Sequence, residues 1–287
     1  MTTLFFEPKP VADETARKRV FAGGILVQAP TPASLALCRW ARQLLAEAFG
    51  GADPQKAQFD MPVEKFVGVA GALKTRFTNH AQTKDLVRAL LAERGCDMER
   101  TYFDVPRLRV VTHGEYLTAG VGYAYKAHRD TWYASPTAQL NWWVPVYDLE
   151  SERSLAFYPE YWSKPLRNSS AEFDYGEWCA VGRAQAASQV KTDTRKHPLP
   201  QEPVETQAEL RVVCETGAVI HFSSSQLHAT VPNSSGVTRF SFDFRSLNAD
   251  DLLEGRGAHN IDAHARGSTL GDFLRASDLA PFPTPAA

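Results

Sequence analysis

Long apolar runs are missing from this sequence. No stretch of about 18 consecutive apolar residues occurs, and a membrane-spanning helix needs roughly that length. The first twenty residues also lack the apolar core of a secretory signal. We therefore expect a cytoplasmic protein that does not have a membrane as its partner.

An excess of positive charge is missing as well. Lys and Arg number 31 against 33 Asp and Glu, which gives a formal net charge of -2 at pH 7. Proteins that bind nucleic acids or anionic membranes in general do so through a basic face. The balance argues against nucleic acid as a partner and fits a small-molecule substrate.

Cysteine is scarce and scattered. The chain has 4 Cys, with no CxxC pair and no zinc-finger spacing. Such usage predicts reduced, mostly buried thiols in a reducing compartment rather than a disulfide scaffold.

Helical patterns dominate the first third of the chain. Residues 31–51 and 83–95 each repeat apolar residues at helical spacing and end at glycine, which predicts two amphipathic helices. At 287 residues the chain suits a single domain. We expect residues 1–104 to form a helical N-terminal support.

Short β-rich runs separated by turn residues follow from about residue 105. They are RLRVV, AQLNWWVPV, SLAFYP, ELRVVCETGAVIHF and TRFSFDFR, and they predict a mainly β sandwich or barrel with flanking helices. We expect this core to span 105–247, with an insertion or lid at 160–208. Residues 248–287 would form a C-terminal extension, with a short helix in GSTLGDFLRASDL.

The tripeptide His-Arg-Asp at residues 128–130 has two chemical interpretations. A protein kinase catalytic loop requires Asn five residues after the Asp, and Ser135 occupies that position here. The alternative is a metal site. His128 and Asp130 are separated by one residue, so on a strand or extended turn their side chains point to the same face and Arg129 points away.

A third candidate ligand, His228, precedes a strand with strict alternation. Three Phe residues lie on one face of that strand, and the other face carries Arg239, Ser241, Asp243 and Arg245. The Phe face needs a packed layer behind it. A buried polar face without partners would be costly, so we expect a charged ligand to occupy it.

The order His128-x-Asp130, then His228, then Arg239-x-Ser241 eleven residues on, resembles the Fe(II)/2-oxoglutarate-dependent dioxygenases. It is most similar to the phytanoyl-CoA-hydroxylase-like small-molecule oxygenases, over roughly residues 105–247. The resemblance implies a double-stranded β-helix (jelly-roll, cupin-like) core. It also implies that the two His and the Asp bind Fe(II), and that 2-oxoglutarate and O2 take the open metal positions and yield succinate and CO2.

The resemblance assigns the far carboxylate of 2-oxoglutarate to Arg239, with a hydroxyl donated by Ser241; Arg245 is the second choice. Gln139 and Asn141 alternate with apolar neighbours, so they could line the cavity and bind cosubstrate or substrate, or could be surface amides. Halogenases of the superfamily typically have Ala or Gly where Asp130 stands. The carboxylate therefore favours hydroxylation, desaturation or a related oxidation over halogenation. The near-neutral net charge and the polar, aromatic insertion fit a small polar metabolite, an amino-acid-like molecule or a natural product as the substrate.

Several weaker candidates have a packing alternative. Arg109 and Tyr125 could reach the site or serve in the core, and His221 is expected to be a satisfied structural histidine. A substrate wall or lid could include residues of AFYPEYWSKPLRNSS, namely Tyr158, Glu160, Tyr161, Trp162 and Asn168.

Two other functions remain open from the sequence. A cupin-like metal enzyme that does not use 2-oxoglutarate would keep the three metal ligands but would not need Arg239 and Ser241. A catalytically silent jelly-roll binding protein would need neither set. The oligomeric state is not indicated by any pattern.

Overall fold

The computed structural model describes residues 2–114, 116–182, 189 and 192–283. Within these residues the strands are β1 Thr3–Glu7, β2 Gly24–Gln28, β3 Thr101–Asp104, β4 Arg107–Val111, β5 Leu140–Pro145, β6 Leu155–Phe157, β7 Leu210–Val212, β8 Val219–Ser223, β9 His228–Thr230, β10 Arg239–Asn248 and β11 Phe273–Arg275. The α-helices are α1 Asp13–Phe21, α2 Pro32–Ala48, α3 Ala57–Asp60, α4 Val63–Asn79, α5 Ala81–Glu93, α6 Tyr175–Glu177 and α7 Ala249–Leu253.

The strands form two sheets. The major sheet has the order β1-β2-β8-β5-β10-β3-β11, and β4 also pairs with β10. Strand β10 is its longest member and runs antiparallel to β5 on one side and to β3 and β4 on the other. The minor sheet has the order β7-β6-β9. The fold is therefore mainly sheet with helices around it.

The alternation of β10 divides the molecule into a packed side and a polar side. Phe240, Phe242 and Phe244 are buried in the main apolar cluster, which also contains the inward residues of α2, α4 and α5. A second cluster, including Trp143 and Phe157, joins the major sheet to the minor one. The Phe face of β10 thus has a packed layer behind it, as the sequence predicts, and the polar residues lie on the opposite face.

Helix α2 shows why the predicted helices form where they do. The Thr31 hydroxyl accepts the main-chain N–H of Ser34, and the Ser34 hydroxyl accepts the N–H of Thr31, so a capping box starts the helix. The sequence predictions for 31–51 and 83–95 are confirmed as α2 and α5.

The chain termini contribute more strands than the sequence predicts. The segment 1–104, expected to be a helical support, supplies β1, β2 and β3 to the major sheet. The short helix expected near residue 270 is wrong: one helical turn at Leu270–Asp272 leads into β11, which pairs with β3. Strand β2 pairs with β8, which lies far away in the sequence, so its partner is not visible locally.

In the described part of the chain, no helix has both the length and the apolar character required to cross a bilayer. The cysteines are free, and Cys38 and Cys96 are buried.

Candidate active site

The side chains of His128, Asp130 and His228 converge between the two sheets. One potential ligand atom from each lies within 4.8 Å of the others, and all three residues are buried. His228 is the first residue of β9, His128 forms an isolated bridge with it, and Asp130 opens a helical turn. The structure therefore brings His228 to His128 and Asp130, which lie about a hundred positions earlier in the sequence.

Each imidazole is oriented by its own main chain. Nδ1 of His128 lies 2.8 Å from the carbonyl oxygen of Lys126, and Nδ1 of His228 lies 2.9 Å from that of Gln226. A carbonyl can only accept, so the proton belongs on Nδ1 in both rings. The Nε2 atoms keep free lone pairs, and Nε2 of His128 lies 3.5 Å from Asp130 Oδ1. This is the arrangement of a histidine prepared to bind a metal.

The charges at this site suit a cation. Burial, reinforced by the neighbouring His128, lowers the pKa of His228 to about 4. Burial alone would raise the pKa of Asp130, but the close approach of the His128 side chain and the charge of Arg245 hold it below its usual range. At neutral pH a neutral imidazole and a carboxylate therefore face each other, which is the protonation state that metal binding requires.

Gln139 and Asn141 line the same cavity. The Gln139 side-chain amide donates to Asp130 Oδ2 at 3.2 Å and to Asn141 Oδ1 at 3.0 Å. Gln139 therefore helps to hold the Asp130 carboxylate in position through its Oδ2 atom. The Asn141 amide nitrogen has no hydrogen-bond partner among the described residues and remains available to a ligand.

A cavity of about 700 Å³ is lined by the three convergent residues and by Arg239, Asp243 and Arg245 of β10, whereas Ser241 on the same face is buried and is not among the lining residues. This volume lies in the range of small-molecule sites. Its charged lining residues are Lys74, Asp104, Arg107, Arg109, Asp130, Arg195, Arg239, Asp243, Arg245 and Asp272.

Arg239 has no carboxylate partner among the described residues. Its guanidinium donates to the main-chain carbonyls of Arg153 and Ser154, at 3.2 and 3.3 Å, and lies 5.3 Å from the centre of the Trp143 ring. Its Nε and the hydroxyl of Ser241 are buried without a hydrogen-bond partner among the residues that the structure describes. Burial, followed by repulsion from another arginine, lowers the pKa of Arg239 to about 9. A buried, unneutralised guanidinium is a site for an anion.

Two neighbouring arginines differ from Arg239 because their charges are already neutralised. Arg109 binds Asp243 through two nitrogens, so the possible ion pair between Arg239 and Asp243 does not form. Arg245 lies 3.3 Å from a carboxylate oxygen of Asp104 and 4.0 Å from one of Asp130. Arg245 thus stabilises the carboxylate of Asp130. Arg239, which has no such partner among the described residues, is a better site for an incoming anion than Arg109 or Arg245.

Of the two alternatives for residues 158–168, the structure shows packing rather than a substrate wall. Tyr158 and Tyr161 pack in an apolar cluster with Trp132. Glu160 is exposed, and Asn168 donates to the carbonyls of Leu166 and Asp262. Trp162 is buried, and none of the five lines the cavity.

Other aromatic residues line the cavity instead. We call Tyr123, Tyr125, Tyr133 and Trp178 the aromatic wall. His197 stacks against Tyr123, with ring centroids 4.6 Å apart, and contacts Trp178 at 5.0 Å. Of these four residues, the sequence indicated only Tyr125. The other three were missed because the wall combines residues 123–133 with Trp178, which is distant in the sequence. Residues 183–188, 190 and 191 of the expected lid lie outside the described residues.

Two further side chains near the motif have structural surroundings. Arg129 points away from the cavity, as predicted, and binds Asp262 and the carbonyls of Ser225 and Tyr161. His221 is buried against Trp142, with ring centroids 3.8 Å apart. The expectation of a satisfied His221 is wrong, because neither ring nitrogen has a hydrogen-bond partner in the described part of the chain.

Comparisons with known proteins add solved structures of low similarity. No protein-family model and no curated protein matches the chain. EvdO2 from Micromonospora carbonacea var. aurantiaca is 15% identical over 85% of this chain and 94% of its own, with a TM-score of 0.48. AviO1 from Streptomyces viridochromogenes Tue57 is 15% identical over 84% and 97%, with a TM-score of 0.41. SnoN, a non-heme alpha-ketoglutarate-dependent epimerase from nogalamycin biosynthesis, is 16% identical over 83% and 85%, with a TM-score of 0.42. Similarity at this level carries no conclusion about the chemistry of this chain.

Proposed function

We propose that the protein is an Fe(II)- and 2-oxoglutarate-dependent oxygenase that hydroxylates a small molecule on a double-stranded β-helix scaffold. One observation carries this proposal. A buried His-Asp-His set shares one cavity with a buried arginine that has no carboxylate partner among the described residues. The first feature suits a divalent metal and the second suits an anion that would bind beside it.

The donor atoms fit Fe(II). Two neutral imidazoles and one carboxylate form the 2-His-1-carboxylate set, which leaves coordination positions open. His128, Asp130 and His228 would hold the ion, and the Gln139 amide would keep the Asp130 carboxylate in place. Together with 2-oxoglutarate and O2, the bound metal would supply oxidising power for C–H hydroxylation, with succinate and CO2 as the other products.

Arg239 and Ser241 fit the far carboxylate of 2-oxoglutarate. The planar guanidinium can bind a carboxylate through two hydrogen bonds, and a lysine would keep the charge but lose this geometry. The Ser241 hydroxyl on the same face of β10 has no hydrogen-bond partner in the described part of the chain. Trp143 covers the guanidinium and keeps water away, which strengthens the attraction between the two charges.

The remaining cavity surface would receive the substrate. The Asn141 amide nitrogen is free to donate, and the aromatic wall offers flat apolar surface near His128. These groups suit a small polar metabolite, an amino-acid-like molecule or a natural product. Neither a nucleic acid nor a membrane is proposed as a partner.

A cupin-like metal enzyme without 2-oxoglutarate is the competing function. It would leave the Arg239 guanidinium buried with no counter-ion, and a buried unpaired charge is costly. A silent binding protein would leave the convergent ligand set unexplained as well. Arg239 therefore favours the oxygenase.

Succinate formation tests the proposal. The purified protein would be given Fe(II), 2-oxoglutarate, ascorbate and air, in parallel with the His228→Ala variant. Without added substrate, we expect slow succinate formation by the wild type and none by His228→Ala. A substrate should make succinate formation by the wild type faster. Equal succinate in both proteins, or failure of the metal-loaded wild type to bind 2-oxoglutarate without O2, would contradict the proposal.

A further inference from the structure

Lys74 is a second cation of the cavity with no salt bridge to a described residue. It lies on α4, which packs against β4, and its side chain lines the cavity. The ammonium donates one hydrogen bond, to the carbonyl oxygen of Val121 at 2.8 Å. An ammonium has three donors, so two remain for a ligand.

The other cations of the cavity are occupied. Besides Arg109 and Arg245, whose carboxylates are described above, Arg107 binds Asp104. Arg195 binds both carboxylate oxygens of Asp193, at 2.8 and 2.5 Å. Once the anchoring of 2-oxoglutarate is assigned to Arg239, Lys74 remains as a cation without an anion.

The electrostatic surroundings of Lys74 favour an incoming negative charge. Burial, followed by the positive charge of Arg109, lowers the pKa of Lys74 to about 7; the charge of Asp243, which Arg109 already binds, acts in the opposite direction, and Arg195 lowers the pKa further. An anionic group placed beside the ammonium would offset both effects. A neutral ligand would leave them in place.

The aromatic wall lies beside this cation. Tyr123 follows closely after Val121, whose carbonyl Lys74 binds, and Tyr123 stacks on His197. Arg195, which repels Lys74, lies 5.4 Å from the centre of the Trp178 ring. The Tyr125 ring of the wall lies 5.2 Å from that of His128, and Lys74 lines the same cavity. A flat ring held by the wall would therefore lie close to the metal ligands, in the cavity that Lys74 also lines.

We propose that Lys74 binds a carboxylate of the substrate, and that the substrate carries an aromatic or other flat ring which packs on the aromatic wall. The inference rests on the proposed function, because it assumes that 2-oxoglutarate occupies Arg239. It makes Lys74 a specificity-determining residue that selects ring-bearing acids over their neutral analogues.

Matched acid and amide probes test this selection. Phenylacetate with phenylacetamide, and indole-3-acetate with indole-3-acetamide, would be titrated by ligand-observed NMR into the Fe(II)-loaded protein without O2, with 2-oxoglutarate at saturation. We expect the acids to bind the wild type roughly 10-fold or more tightly than the amides, as one charged hydrogen bond allows. Lys74→Met should abolish that preference, and Lys74→Arg should keep much of it.

Lys56 provides a matched control. It is an exposed lysine outside the cavity lining, and it also donates to a main-chain carbonyl, that of Gly236 at 3.0 Å. Lys56→Met should keep the preference for acids. Amides that bind the wild type as well as acids, no binding by either acid, or an undiminished preference in Lys74→Met would each overturn the proposal.

The affinity for 2-oxoglutarate separates this inference from the proposed function. It would be measured calorimetrically on the same proteins, in the absence of the probes. If the wild type does not bind 2-oxoglutarate, the proposed function fails. The preference for acid over amide probes, measured in the absence of 2-oxoglutarate, would still test the role of Lys74. If Lys74→Met weakens 2-oxoglutarate binding as strongly as Arg239→Met, Lys74 belongs to the cosubstrate site and the inference is overturned.

Discussion

His128 and His228 exchange two main-chain hydrogen bonds. The N–H of each donates to the carbonyl of the other, at 2.9 and 3.0 Å, and the ring centroids lie 4.3 Å apart. Each ring is also held through Nδ1 by a carbonyl two residues earlier in the chain. The backbone therefore places both Nε2 atoms before any ion binds, and the site is preorganised for a metal.

Replacing one histidine of this pair should remove the metal. We expect the wild type to bind one Fe(II) or Co(II) per chain and His228→Ala to lose this binding, because two ligands alone hold the ion weakly. Metal content after desalting measures the effect. His259→Ala, which changes an exposed histidine, is the control. One tightly bound ion per chain in His228→Ala would contradict the assignment.

Gln139 should matter for metal affinity although it is not a proposed ligand. Gln139→Leu leaves Asp130 Oδ2 without the amide donor at 3.2 Å, and loss of such a supporting group typically lowers metal affinity about 10- to 100-fold. Competition with a chromophoric chelator measures the change. The exposed Gln43 provides the control variant Gln43→Leu, and equal affinities for the two variants would show that Gln139 does not support the carboxylate.

Arg129 should be important for folding. It is fully buried and binds Asp262, which also accepts from the Trp132 indole at 2.6 Å. Arg129→Met would leave the Asp262 charge buried without its partner, which typically costs about 3–5 kcal/mol. Urea unfolding of the metal-free protein measures the loss. The exposed Arg167→Met should change the free energy of unfolding by under about 1 kcal/mol, and a similar small change for Arg129→Met would refute this role.

His221 should make the stability of the folded chain depend on pH. Burial lowers its pKa to about 3, whereas an unfolded histidine titrates near 6.5. Between these two pKa values His221 is protonated in the unfolded chain but neutral in the folded one. Protonation therefore favours the unfolded chain, and the free energy of unfolding falls as the pH drops below about 6.5. Between about pH 7.5 and about pH 5 the loss from this group is about 2 kcal/mol.

The variant His221→Leu isolates that contribution. Urea unfolding with a chelator present, at the two pH values, should show a smaller fall in stability for the variant than for the wild type, whatever their absolute stabilities. An equal fall in both proteins would mean that His221 is protonated in the folded state.

Two parts of the candidate site were predictable from the sequence because their patterns are local. His128 and Asp130 are two residues apart, and the period of two in β10 separates the Phe face from the face of Arg239 and Ser241. These relations between neighbouring residues do not depend on how the rest of the chain folds. Helix α2 was predictable for the same reason, since its apolar period and its capping residues lie within one segment.

Features that depend on distant partners were not predictable. Strand β2 is a short, fully buried apolar run, and periodicity alone does not distinguish such a run from a buried helix segment. The Lys74 side chain reaches the cavity because α4 packs on β4, and the aromatic wall combines residues 123–133 with Trp178. Such placements follow from tertiary packing, which a single sequence does not display.

Binding of 2-oxoglutarate without O2 tests the central claim most directly. The metal-loaded wild type would be titrated calorimetrically, beside Arg239→Met and Arg239→Lys. We expect binding by the wild type and a loss of about 10-fold or more in Arg239→Met, as removal of a charged hydrogen bond predicts. Arg239→Lys should lie between the two. Unchanged affinity in Arg239→Met would move the anchor to Arg245, and no binding by the wild type would contradict the assignment of 2-oxoglutarate to this cavity.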